Sequence, residues 1–96
     1  MIIRIVRMTF APEKVNDFLA IFNATKQKIR ACDGCLHLEL LQDVNEKNIY
    51  CTYSIWQSEE HLNKYRYSVL FKTTWAKTKP LFSEKPIAFS LVKVER

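Results

Sequence analysis

The chain has 96 residues, a formal net charge of +5, 48% hydrophobic and 26% charged residues. That length is one domain, residues 1–96, and the balance excludes a disordered chain. No apolar run approaches the roughly 20 residues of a membrane span. The 15 Lys and Arg are spread along the predicted helices rather than gathered in a block, which argues against a nucleic-acid interface.

Ile2 to Phe10 is β-rich and apolar on both faces, with Ile3 and Ile5 on one and Ile2, Val6, Met8 and Phe10 on the other. That is the pattern of a central strand covered on both sides. Pro12 suits a first helical turn, and from Val15 the residues Phe18, Leu19, Phe22 and Ile29 recur at helical spacing. The sole glycine, Gly34, ends that helix in the left-handed conformation. Leu36, Leu38 and Leu40 then alternate with Cys35, His37, Glu39 and Leu41. The polar stretch 45–48 is a turn, and Ile49 to Gln57 is the second arm of a hairpin. One side of that arm carries Ile49, Cys51, Tyr53 and Ile55, the other Tyr50, Thr52, Ser54 and Trp56.

Ser58 is a helix N-cap, with Glu59 and Glu60 where the helix dipole favours negative charge. The helix directs Leu62, Tyr65 and Val69 inward and leaves His61 exposed. Ser68 caps a second segment in which Phe71, Trp75 and Thr78 share a face, and Pro80 marks its end. Pro86 opens a last strand, with Ile87, Phe89 and Leu91 on one side and Ala88, Ser90, Val92 and Val94 on the other.

The order βαββαβ predicts an α+β, ferredoxin-like fold, an antiparallel sheet with its helices on one face. The opposite face would show Ile3, Ile5, Ile49, Ile55, Val92 and Val94, too much apolar surface for a monomer. A domain this small buries only about 60–65% of its unfolded surface, so burial against a second copy would help it. A homodimer joined sheet to sheet is expected.

Three cysteines, and a start (Met1-Ile2-Ile3-Arg4) without signal-peptide character, suggest free thiols in a soluble, cytoplasmic protein. Cys32-Asp33-Gly34-Cys35 has redox spacing. It follows a helix, however, where the negative dipole end disfavours a thiolate, so the pair reads as small residues around a turn. Cys35 and His37 have no further ligands at metal-site spacing, and no metal is expected.

Several stretches together resemble the antibiotic biosynthesis monooxygenase family of dimeric α+β barrels, over essentially the whole chain. They are Asp33-Gly34-Cys35 entering the second strand and Tyr53-Ser54-Ile55-Trp56-Gln57-Ser58 leading to Leu62. After them come Ser68-Val69-Leu70-Phe71 with Trp75, and the final strand after Pro86. The resemblance implies oxidation of quinols or polycyclic aromatics by dioxygen with no flavin, metal or haem. The substrate would lie between sheet and helices beside the tryptophan matched by Trp56. Similar small barrels also serve as ligand sensors and stress proteins. One branch degrades haem with an asparagine on the first strand and a histidine on the second helix. Here those places hold Val6 and Trp75, so haem degradation is not expected. In the branch acting on hydroxylated polycyclic aromatics an asparagine precedes the tryptophan by four residues, where this chain has Thr52.

The expected function is a cofactor-independent monooxygenase for a small aromatic or quinol. The alternative is a non-catalytic ligand-binding or stress-related dimer of the same fold. Trp56 is the candidate catalytic residue, and Arg4, Val6, Thr52, Ser54, Tyr65, Phe71 and Trp75 are candidate substrate contacts, with Phe82 a further aromatic wall. Each has a plainer structural reading: the aromatics as core, with Trp75 filling the space of a ligand, the hydroxyls bonded to nearby backbone, Arg4 in an edge salt bridge. His37 and Glu39 form an acid–base couple or, the expected reading, an interface hydrogen bond. Ile49 to Tyr53 lacks the glycine and basic residues of an RNA-binding strand, so neither nucleic acid nor membrane is an expected partner.

Overall fold

In the computed structural model, which describes residues 1–95, four strands pair antiparallel in one sheet. They are β1 (Ile2–Thr9), β2 (Cys35–Gln42), β3 (Ile49–Trp56) and β4 (Ile87–Leu91), laid side by side as β2-β3-β1-β4. Three helices complete the chain: α1 (Val15–Arg30), α2 (Glu59–Arg66) and α3 (Val69–Thr78). The order is the ferredoxin-like βαββαβ, with the second helical crossover broken in two. β1 is central, Ile5 lying opposite Tyr53 on one side and Phe89 on the other. Among the described residues no helix is long and apolar enough to cross a membrane.

The even-numbered side chains of β1 and β3 face the helices, because side chains alternate along a strand. Met8, Phe10, Tyr50 and Trp56 from these strands, with Phe10 just past the end of β1, meet Phe18, Phe22 and Ile29 of α1, Leu38 of β2 and Leu62 of α2 in one core. Phe10 stacks on Phe18 with ring centroids 4.2 Å apart. Burying such side chains contributes about 1.5–3 kcal/mol each, so this layer holds the domain together.

Local chemistry sets the helix boundaries. Ser58 Oγ accepts the His61 backbone N–H, and Ser68 Oγ accepts that of Phe71 at 3.1 Å. The Ser68 hydroxyl in turn donates to the Tyr65 carbonyl, 2.6 Å away, which closes α2 as α3 opens. Gly34 sits at φ +81° after α1, and a Cβ there would also overlap the His61 ring. Conformation and close approach both require glycine at this position. In the β2–β3 turn, the Asp43 carboxylate accepts the backbone N–H groups of Asn45 and Glu46. Those two bonds hold its pKa below the usual carboxylate value.

Four expectations from the sequence pattern are corrected. The pairing of β2 shifts between Cys35 and His37, so Cys35 lies opposite Trp56 on the core side and Leu36 is left exposed. One extra residue at a bulge flips every side chain before it to the other face. Val69 is 80% exposed, because helical periodicity does not run through the break between α2 and α3. His61 is half-buried rather than exposed, its Nδ1 2.6 Å from Ser58 Oγ and its ring against Gly34. Finally, β4 ends at Leu91, so Ile87, Phe89 and Leu91 supply the open face in place of Val92 and Val94, and Ile49 is buried.

Candidate active site

A cavity of about 330 Å³ lies between the helix-side face of the sheet and the three helices. Alternate positions of two paired strands form its floor: Arg4, Val6 and Met8 from β1, and Thr52, Ser54 and Trp56 from β3. The register places Arg4 opposite Ser54 and Val6 opposite Thr52. Helix α2 supplies Leu62, Tyr65 and Arg66, and α3 supplies Phe71, Thr74, Trp75 and Thr78. In both helices the spacing of three and four residues turns these side chains to one face.

Trp56 anchors the floor. It is 1% exposed, and its indole N–H donates to Ser54 Oγ at 3.0 Å. Ser54 itself donates to the Arg4 carbonyl at 3.4 Å, so its hydroxyl is committed to holding Trp56 in place. With the N–H engaged, Trp56 offers a ligand ring surface only. That ring stacks on Tyr65 at 4.9 Å and 19°. Tyr65 meets Phe71 edge-on at 5.2 Å, and Phe71 stacks on Trp75 at 5.9 Å and 8°. Offset stacks and edge-to-face pairs at these separations are the favoured aromatic arrangements.

The titratable groups on the cavity are few. Burial raises the Tyr65 phenol well above its usual value, so at neutral pH it is a proton donor and not a base. Arg4 Nη1 donates to Ser90 Oγ at 3.1 Å, and no salt bridge engages Arg4 among the described residues. Burial, and after it the like charge of Arg66, lowers the Arg4 pKa.

All eight residues singled out in the sequence, Arg4, Val6, Thr52, Ser54, Trp56, Tyr65, Phe71 and Trp75, meet on this one cavity. Phe82 does not reach it and instead backs Trp75 and Phe10, at 5.5 and 5.3 Å. Sequence reasoning missed Arg66, although it follows Leu62 by four residues and so shares the inward face of α2. It also missed the α1 wall, where Ile21 and Thr25 reach the cavity between the core positions.

Other constellations lie elsewhere. His37 Nε2 is 3.2 Å from Glu39 Oε1 on the opposite, open face, with Tyr53 edge-on to the imidazole. Asp33, His61 and Ser58 stand in a row. The His61–Asp33 separation of 3.7 Å is too long for a hydrogen bond, and Ser58 is occupied as the cap of α2. Cys32, Cys35 and Cys51 are free thiols, and burial raises the pKa of each. Among the described residues no three of His, Cys, Asp or Glu come together as metal ligands. The cavity lining, among the described residues, contains no histidine, cysteine or carboxylate. It therefore does not fit a haem held by an imidazole or a thiolate.

The family model described as antibiotic biosynthesis monooxygenase matches residues 1–77. The chain belongs to that family. The matched stretch runs from β1 into α3 and contains every candidate contact from Arg4 to Trp75. Solved structures share the antibiotic biosynthesis monooxygenase fold at low identity. A conserved protein from Methanosarcina mazei Go1 superposes with a TM-score of 0.92 at 20% identity, over 98% of this chain and 94% of that one. A candidate antibiotic biosynthesis monooxygenase from Caulobacter crescentus CB15 gives 0.91 at 23%, over 98% and 90%. Rv0793 from Mycobacterium tuberculosis gives 0.91 at 19%, over 99% and 96%. No curated protein matches the chain.

Proposed function

We propose that this family member is a cofactor-independent monooxygenase that oxidises a small aromatic or quinol with dioxygen. The observation that carries the reading is the cavity: about 330 Å³, floored by Trp56 and walled by Tyr65, Phe71 and Trp75. That volume falls at the lower end of the range for small-ligand sites. An electron-rich phenolate in a dry pocket can pass an electron to oxygen directly. The protein then needs only to bind, desolvate and orient it. Trp56, held in place by Ser54, supplies the stacking surface, Thr52 a polar edge, and Arg4 a cation that favours the phenolate.

A single domain acts as a homodimer in this reading, with the open sheet face covered by a second copy. Exposed Ile87, Phe89 and Leu91 on that face support it, and light scattering at micromolar concentration should give twice the chain mass. The three free thiols support a reducing, cytoplasmic setting.

The activity test is oxygen uptake with hydroquinones and hydroxylated polycyclic aromatics, with no cofactor added, for wild type and Trp56→Phe. Uptake above the autoxidation rate that falls about tenfold or more in the variant is the expected result; tenfold corresponds to about 1.4 kcal/mol of barrier. A second reading, a non-catalytic ligand-binding dimer, is favoured by one observation. Among the described residues the lining has no carboxylate or histidine, and its phenol, Tyr65, holds its proton, so none of these side chains is a base at neutral pH. No uptake across the panel, from a folded protein, would decide for that reading.

A further inference from the structure

Two arginines line the cavity, Arg4 from β1 and Arg66 from the last turn of α2. Both belong to the same lining as the stacked Trp56 and Tyr65. Arg4 lies opposite Ser54 in the strand register, two residues from Trp56, and Arg66 directly follows Tyr65. The ion pairs among the described residues are His37–Glu39, His61–Asp33 and Lys64–Asp33, and none involves either arginine. Among the described residues, the side-chain bond from Arg4 goes to a neutral hydroxyl, Ser90 Oγ. No acidic residue, among the described residues, lines the cavity.

Two like charges beside a largely apolar cavity are unfavourable in the free protein, through lost solvation and mutual repulsion. Both effects act on Arg4, where burial and Arg66 weaken its hold on a proton. A bound anion would reverse both. A guanidinium presents a planar fork of N–H donors, which suits a two-oxygen acceptor better than the single oxygen of a phenolate. A carboxylate offers one oxygen edge to each arginine, while the adjoining Trp56, Tyr65 and Phe71 rings suit a flat body.

We propose that the ligand of this cavity is an aromatic acid, its ring system stacked in the aromatic pocket and its carboxylate held between Arg4 and Arg66. The proposal rests on the reading that the cavity takes a small aromatic, and narrows that class to molecules carrying an acid group. The clamp would also set orientation: with the carboxylate fixed at Arg4 and Arg66, the far edge of the ring is directed toward α3.

The test is calorimetric titration of the full chain at pH 7 with 2-naphthoate and with 2-naphthol, which are similar in size but differ in charge. The expected result is 2-naphthoate binding at least about tenfold more tightly, within reach of one charge-assisted hydrogen bond. That preference should shrink as salt rises. Arg66→Gln, on an exposed helix end where the fold tolerates change, should cut the preference several-fold. Adding Arg4→Gln should abolish it, both substitutions weakening 2-naphthoate far more than 2-naphthol. Equal binding of the two compounds by wild type, or a preference that survives the double variant, would overturn the clamp and leave the aromatic cavity standing. Binding of neither compound would overturn both readings together.

Discussion

The two faces of the sheet are built from the same strands and end in opposite conditions. On the helix side, Met8, Leu38, Tyr50 and Trp56 are buried, and the buried Ser54 hydroxyl is bonded both as donor and as acceptor. On the open side, Phe89 remains 43% exposed and Leu91 49%, beside partly exposed Ile3, Ile5 and Ile55. Side-chain alternation divides the apolar residues between the faces, but the chain has helices to cover only one. The closed face can therefore hold a cavity with defined walls. The open face is a half-finished sandwich whose stability depends on what is laid against it.

The strongest way to break this contrast is Trp56→Ala. Deleting a buried aromatic of this size costs about 3–5 kcal/mol, and it also removes the stacking partner of Tyr65. Urea unfolding should show the loss as a lower midpoint. A cost below about 1 kcal/mol would mean that the closed face does not hold the domain together.

The same question put to the open face has a different expected answer. Phe89→Glu places a charge on the middle of β4, directly beside Ile5. In the proposed dimer that carboxylate would be buried without a partner, a cost of several kcal/mol. The dissociation constant should rise by about 100-fold or more, seen as a halved mass in a dilution series by light scattering. A dimer of unchanged affinity would show that the copies meet elsewhere.

The contrast also explains what could be read before any coordinates. Helix caps and alternation are local, so Ser58, Ser68, Gly34 and the two faces of β3 were legible residue by residue. The bulge at Leu36 was not, because alternation continues unbroken through it in the sequence and only the pairing with Trp56 reveals the shift. The end of β4 was equally hidden: Val92 and Val94 continue the strand pattern past the last residue that β1 pairs with. At the site, the resemblance marked Trp56, and spacing supplied the strand and aromatic positions that share its side of the sheet. Arg66 did not, because a charged residue at a helix end reads first as solvated and favourable to the dipole. Only Arg4, far away in the chain but lining the same cavity, gives it another meaning.

A smaller effect sharpens the closed side. Ser54→Ala removes the acceptor for the Trp56 indole N–H and leaves a buried donor unsatisfied, which costs about 1–3 kcal/mol. The loss should appear in urea unfolding, accompanied by a shift in tryptophan emission. A cost near zero would mean that water entering from the cavity reaches the indole.

The smallest expected effect depends on pH. Tyr65 is raised above its ordinary value chiefly by burial, so the folded state favours the neutral phenol. The unfolded chain releases that proton near pH 10. Below that pH both states hold the proton and stability is unaffected. Above it the unfolded state ionises while the folded state does not, and stability falls by up to about 1.4 kcal/mol for each further pH unit until the folded phenol also ionises. Tyr65→Phe removes this penalty and keeps the ring that stacks on Trp56. Wild type and variant should therefore unfold at similar urea concentrations at pH 8, with the variant the more resistant by about 1 kcal/mol at pH 11. Equal stability at both values would mean that the Tyr65 hydroxyl meets solvent through the cavity mouth, and that the pocket is wetter than its aromatic walls imply.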